Sequence, residues 1–179
     1  MKKAYLVHGW GGSPTNCWFP WLQAELKTQG FHVTALRMPT TDKPTIESWV
    51  QYMVKNTKPD MDTIFIGHSI GCQTILRFLE QTNAKILAAF FVAGWFHLTE
   101  EGMPTEIDKR IAAPWLNNPI NFKQVKNHCG HFTAIFSMDD PDVPISDAKQ
   151  FQNYSGAKII FEENQGHYDY QKKLPLLLV

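Results

Sequence analysis

Apolar residues fall along this chain in two alternating patterns. Short, continuous apolar runs at residues 4–8, 31–37, 62–67, 86–93, 131–137 and 157–162 read as buried strands. Between them, apolar positions recur at helical spacing and predict helices over 16–29, 44–57, 70–82, 121–127, 145–153 and 168–177. In the third helix, Cys72, Ile75, Leu76 and Leu79 share one face. The run Ala88–Val92 has no polar position, so both faces of its strand are expected to be covered. Gly30 suits the end of the first helix, and Pro44 stands just before the second, where its missing N–H costs nothing. This alternation predicts an α/β fold, a parallel sheet with helices on both faces.

The stretch 94–121 breaks the rhythm. It carries Pro104, Pro114 and Pro119, with Trp95, Phe96 and Trp115 among them. In open α/β sheets ligands bind beyond the carboxyl ends of the strands. A long excursion after the fourth strand is therefore expected to overhang a site as a short cap with an apolar pocket. The alternative is a loop with its own satellite packing.

Length and charge narrow the classes. The 179 residues are enough for one domain with its own core, so 1–179 reads as a single domain. Lys+Arg and Asp+Glu both number 17, and no basic stripe suggests nucleic acid. Cys17, Cys72 and Cys129 are odd in number and unpatterned, which suits a reducing cytoplasm. The apolar run Ala4–Val7 is too short for a signal peptide, and Leu174–Val179 is too short to span a membrane. The latter reads as the end of a docked terminal helix.

The chemistry centres on Gly67-His68-Ser69-Ile70-Gly71, between a predicted strand and a predicted helix. A serine on such a glycine-flanked turn is the nucleophile elbow of the α/β-hydrolases. The plainer alternative is a tight turn whose serine caps the helix. A serine nucleophile needs a base, usually histidine, oriented by a carboxylate, and in this fold the order is Ser, then acid, then His. The fifth strand runs into Asp139, Asp140 and Asp142, and the sixth into Gly166 and His167. Asp140 is preferred because it directly precedes the turn from Pro141 to Pro144, with Asp139 second. Expected oxyanion donors are the backbone N–H groups of Ile70 and of Trp10, the latter in the glycine-rich turn His8–Gly12. Trp10, Trp95, Phe96 and Trp115 are candidates for an apolar substrate pocket.

Competing motifs fail in detail. A phosphate loop needs Lys then Ser or Thr after its last glycine, whereas Gly12 meets Ser13 and Pro14. A dinucleotide fingerprint needs a glycine where Pro14 stands and an acid where Arg37 ends the second strand. His128, Cys129 and His131 match no common metal spacing and lead into a core strand. No metal or cofactor is expected, and Cys72 reads as core.

These residues also carry a resemblance. The turn His8–Gly12, the aromatic first helix around Trp18 and Trp21, the elbow Gly67–Gly71, the run Asp139–Pro141 and the pair Gly166–His167 resemble the small serine hydrolases grouped with retinoblastoma-binding protein 9 and the bacterial YdeN-like proteins. The similarity runs from residue 4 nearly to the end. It implies a compact α/β-hydrolase fold lacking the two strands that usually open it, leaving six parallel strands in the order 2-1-3-4-5-6. It also implies a triad of Ser69, Asp140 and His167, the second aspartate of the pair being the acid. The Leu-x-Cys-x-Glu motif linked to retinoblastoma binding is absent, so no protein partner follows. The expectation is a cytoplasmic serine hydrolase acting on a small ester, thioester or amide, with activity rising through about pH 6–7 as its histidine loses its proton. The alternatives are an acyltransferase using the same triad and a non-catalytic binding module on the same fold.

Overall fold

In the computed structural model, which describes residues 1–178, the six apolar runs pair as one sheet. The strands are β1 (Lys3–Val7), β2 (His32–Leu36), β3 (Thr63–His68), β4 (Ala88–Val92), β5 (Phe132–Ser137) and β6 (Lys158–Glu162). All neighbours are parallel, in the expected order β2-β1-β3-β4-β5-β6. Every residue of β3 is buried, whereas the edge strands β2 and β6 are only partly covered.

The two-residue period of a strand separates two apolar layers. Tyr5, Val7, Phe65, Phe91 and Phe136 face one side. There they meet Trp49 of α2 (Ile46–Asn56), Ile75 of α3 (Ile70–Gln81), Val125 of α5 (Phe122–His128) and Phe151 of α6 (Ser146–Ser155). Ala4, Leu6, Ile64, Ile66 and Ile135 face the other side, under Trp18 and under Phe19, Leu22 and Leu26 of α1 (Phe19–Thr28). Each large side chain buried this way contributes about 1.5–3 kcal/mol. The consequence for the site is that β3 and α3 are held from both sides.

Local signals explain the helix boundaries. Thr45 caps α2 by accepting a hydrogen bond from Ser48 N–H (3.2 Å), with Pro44 just ahead. Gly30 takes a φ of 84° after α1, the left-handed conformation expected of it.

Two expectations change. The helix over 168–177 does not form; only Pro175–Leu177 makes a single 3-10 turn. Pro175 offers no N–H and forces Leu174 before it out of the helical region, to a φ of −141°. Leu174 and Leu177 still dock into the α1 layer. Conversely, the excursion 94–121 contains a helix, α4 (Glu106–Asn117). Its start is a capping box in which Thr105 Oγ1 accepts from Asp108 N–H and Asp108 accepts from Thr105 N–H. Buried Ala112 and Trp115 anchor it, and Pro114 is accommodated inside it. Among the described residues no helix is long and apolar enough to cross a membrane.

Candidate active site

The strand β3 ends at His68 and α3 begins at Ile70, so Ser69 must reverse the chain alone. It does so at φ 53°, ψ −123°, a conformation that costs a non-glycine residue about 1–3 kcal/mol. Hydrogen bonds hold it there: Ser69 N–H donates to Val92 O (2.9 Å), and Cys72 N–H donates to Ser69 O (3.0 Å). The flanking glycines are steric requirements. A Cβ on Gly71 would stand 2.4 Å from Val7 O, and one on Gly67 would stand 2.8 Å from Cys72 N. The elbow can exist only where β1 and α3 approach this closely.

At the carboxyl ends of β5 and β6 the two acidic neighbours divide their work. The Asp140 carboxylate meets His167 Nδ1 at 2.9 and 3.1 Å. Its Oδ1 also accepts from Asp142 N–H (2.9 Å) and Val143 N–H (3.1 Å), so the turn into Pro144 sets its direction. Asp139 points elsewhere. It accepts from the Ser137 hydroxyl and from the N–H groups of Gln165 (3.1 Å) and Gly166 (3.2 Å), and so ties the His167 loop to the end of β5. Burial by itself would lower the His167 pKa. The hydrogen bond and charge of Asp140, with Asp142 and Asp169 nearby, outweigh it and hold the imidazole above its ordinary value.

The turn after β1 is fixed by a second buried histidine. His8 Nε2 accepts from Met38 N–H (3.2 Å), which leaves Nδ1 to donate to Gly9 O (2.9 Å). Burial lowers the His8 pKa and keeps the ring neutral. Gly12 N–H also donates to Gly9 O (3.1 Å), Gly11 N–H to Thr41 O (2.8 Å), and the Trp10 indole to Asp42 O (3.1 Å). Among the described residues, the backbone N–H groups of Trp10 and Ile70 have no loop, turn or side-chain acceptor. Ile70 is the first residue of α3, so no intrahelical acceptor exists for it either.

His68 is a functional neighbour that sequence reasoning passed over. Burial first, and the adjacent His167 second, push its pKa down to about 3, so it is neutral. Its Nε2–H donates to the His167 carbonyl at 2.8 Å. The elbow thereby holds the backbone of the residue that must face it. The available signal was its place inside the Gly67–Gly71 motif, which the serine overshadowed.

An open cleft of about 450 Å³ brings these parts together, lined by the Gly9–Gly12 turn, His68, Ser69, Trp95, Asp142 and His167. Trp10 and Trp95 stand in it as expected, and Trp95 Nε1–H donates to Ser69 Oγ at 3.3 Å. That indole is the hydroxyl's partner here; no hydrogen bond joins Ser69 Oγ to the His167 ring. Phe96 and Trp115, also expected at the pocket, are not brought to the cleft. Phe96 turns the opposite way and packs on Phe151 (4.5 Å between ring centres), and buried Trp115 donates to Pro44 O (3.2 Å). Both line a second cavity. Among the described residues, Asp140, Asp142 and His167 form the one clustered set of candidate metal ligands, within 4.8 Å of one another. They are already organised as a hydrogen-bonded acid–base pair with a flanking carboxylate.

Comparison with known proteins places the sequence and the fold. Rat serine hydrolase RBBP9 is 27% identical over 171 residues, covering 93% of this chain and 87% of that protein. YdeN of Bacillus subtilis is 29% identical over 171 residues, covering 93% and 86%. The crystal structure of the B. subtilis ydeN gene product superposes with a TM-score of 0.88, covering 99% of this chain and 95% of that one. Est1E of Butyrivibrio proteoclasticus, solved with ferulic acid, shares the fold at 14% identity with a TM-score of 0.76, covering 99% and 85%. The serine hydrolase family profile matches residues 4–174. With an elbow serine and a carboxylate-held histidine on a six-stranded parallel sheet, this chain belongs to the serine hydrolase family, on the α/β-hydrolase fold.

Proposed function

We propose that this enzyme cleaves a small ester, thioester or amide through an acyl-enzyme on Ser69. The observation that carries the reading is the 2.9 Å contact of Asp140 with His167 Nδ1, in the same cleft as a serine held at positive φ. Ser69 Oγ attacks the substrate carbonyl carbon as His167 Nε2 takes its proton. Asp140 keeps the Nδ1 proton in place and the ring in line. The oxyanion forms against the N–H groups of Trp10, in the turn after β1, and of Ile70, at the start of α3, both without other acceptors among the described residues. His167 then returns the proton to the leaving group as the bond to the acyl carbon breaks. A water molecule gives its proton to His167, attacks the acyl-enzyme and releases the acid, and the proton passes back to Ser69.

The Trp95 indole donates to Ser69 Oγ through a lone pair, which leaves the hydroxyl proton free to face His167. Trp10 and Trp95 form the apolar part of the cleft, suited to a small-molecule acyl substrate. A cytoplasmic setting belongs to the same proposal and fits the three free cysteines. A fluorophosphonate probe tests the reading. Native protein is expected to be labelled at Ser69, located by mass spectrometry, and Ser69→Ala is expected not to react. Absence of labelling in native, folded protein refutes the acyl-enzyme mechanism.

A further inference from the structure

We infer that the cavity behind Phe96 is a second ligand site, built for a small monocarboxylate with a flat apolar body. Its anchor is Arg77, on α3 and only 4% exposed. Among the described residues no carboxylate lies within ion-pair distance of its guanidinium, although burying a charge is costly unless it is compensated. The protein satisfies part of it with neutral acceptors. Nε and Nη2 donate to Gln73 Oε1 (3.3 and 3.0 Å), and Nη2 donates to Trp115 O (3.1 Å) and Asn118 O (2.8 Å) at the C-terminal end of α4. Those carbonyls carry the partial negative charge of a helix end, which holds the guanidinium without neutralising it. Among the described residues Nη1 has no acceptor.

Two nearby carboxylates are engaged elsewhere. Glu80 accepts from Asn121 N–H (3.0 Å). Asp147, fully buried, accepts from the N–H groups of Phe96 (2.5 Å) and His97 (2.8 Å) and meets His97 Nδ1 at 2.7 Å. The cavity, about 360 Å³, is thus left with a cation in its lining. The guanidinium lies over the ring of Trp115 (5.9 Å to its centre), and three further rings cluster in the wall. Phe122 stacks on Tyr154 (5.0 Å between centres), and Phe96 meets both edge-on (5.6 and 5.8 Å). One guanidinium with one open nitrogen matches a single carboxylate, and the rings match a planar apolar body. The volume is within the range of small-molecule sites. None of Arg77, Phe122 and Tyr154 lines the Ser69 cleft, so the two cavities are lined separately.

Benzoate and its uncharged counterpart benzamide test this on the intact protein, by following backbone amide resonances during titration. Benzoate is expected to bind saturably, shifting Phe96, His97, Asn118 and Tyr154 while Trp10 and His167 stay in place. Benzamide is expected to bind at least about tenfold more weakly, as the loss of a charge-assisted hydrogen bond requires. Arg77→Gln should weaken benzoate by the same factor. Because Arg77 also secures α4, Tyr154→Ala provides a second variant on a side chain that is 45% exposed, and a severalfold weakening is expected. Equal binding of benzamide, shifts confined to the Ser69 cleft, no saturation by about 20 mM benzoate, or unchanged affinity in Tyr154→Ala overturns the inference.

Discussion

The two cavities are built by opposite means. Around Ser69, backbone does the positioning. Turns at the ends of β1, β3, β5 and β6 aim each reactive group, and each of His8, His68, Asp139 and Asp140 is tied to a main-chain atom. Around Arg77, side chains from four helices form the walls, and the one cation lacks a counter-charge. Reacting groups must be held within a few tenths of an ångström, which the stiffness of paired strands and tight turns supplies. A binding cavity needs shape and one oriented charge, which helix packing supplies. The two are nonetheless joined. Arg77 donates to Gln73 Oε1, Gln73 Nε2 donates to Trp95 O (3.1 Å), and the Trp95 indole reaches Ser69 Oγ.

The comparison can be broken hardest at the acidic pair. Asp140→Asn is expected to reduce kcat/KM on a chromogenic acetate ester by about 10⁴-fold, because the wrong tautomer of His167 is then favoured. Asp139→Asn should cost no more than about tenfold and should act mainly as a lowered melting temperature, since its carboxylate only secures the loop. Similar losses in the two variants would mean that loop position, not proton placement, governs the rate.

The pH profile is a finer instrument. In the proposed mechanism His167 must be neutral to accept a proton, and its pKa is raised, so activity should climb with pH through a midpoint above 6.5. This moves the expected limb upward from the pH 6–7 inferred from sequence. Asp142, 3.9 Å from Nδ1, adds to the shift through charge alone, so Asp142→Asn should lower the midpoint while Asp140 stays in place. An unmoved midpoint would confine the electrostatics of the base to Asp140 and Asp169. The same sign applies to stability: the contribution of protonated His167 is complete below the unfolded pKa near 6.5 and fades as pH rises through the raised folded value.

The smallest effect concerns the helix that touches both cavities. Asp108, at the start of α4, lines the Ser69 cleft, and Trp115, near its end, lines the second. Thr105→Ala removes the cap and should cost about 1 kcal/mol, lowering Tm by about 2–4 °C. A melting curve without change would show that burial of Ala112 and Trp115 sets α4 without the cap.

Much of this was legible in the residues. The strand runs and the elbow follow from local rules, in which apolar period and glycine sterics act between near neighbours, whereas the strand order came only from the family resemblance. The terminal segment misled because Leu174, Leu177 and Leu178 keep an apolar spacing that Pro175 prevents from becoming a helix. Helix α4 was hidden by Pro114 inside it and by Pro104 and Pro119 on either side, although the Thr105–Asp108 box announced its start. Phe96 could not be told from Trp95, because both lie in irregular chain beyond the end of β4 at Val92, where no period fixes a side chain's direction.

From sequence alone came the alternating α/β plan, the nucleophile turn, and the order in which an acid and a histidine follow it. Tertiary structure decided which aspartate meets His167 and which aromatics face Ser69. It also decided that Arg77 lies buried without a carboxylate. The reason is one of range. A turn or a helical face is set within a few residues, but Asp140 and His167 are 27 residues apart and meet only because β5 and β6 pair in one register.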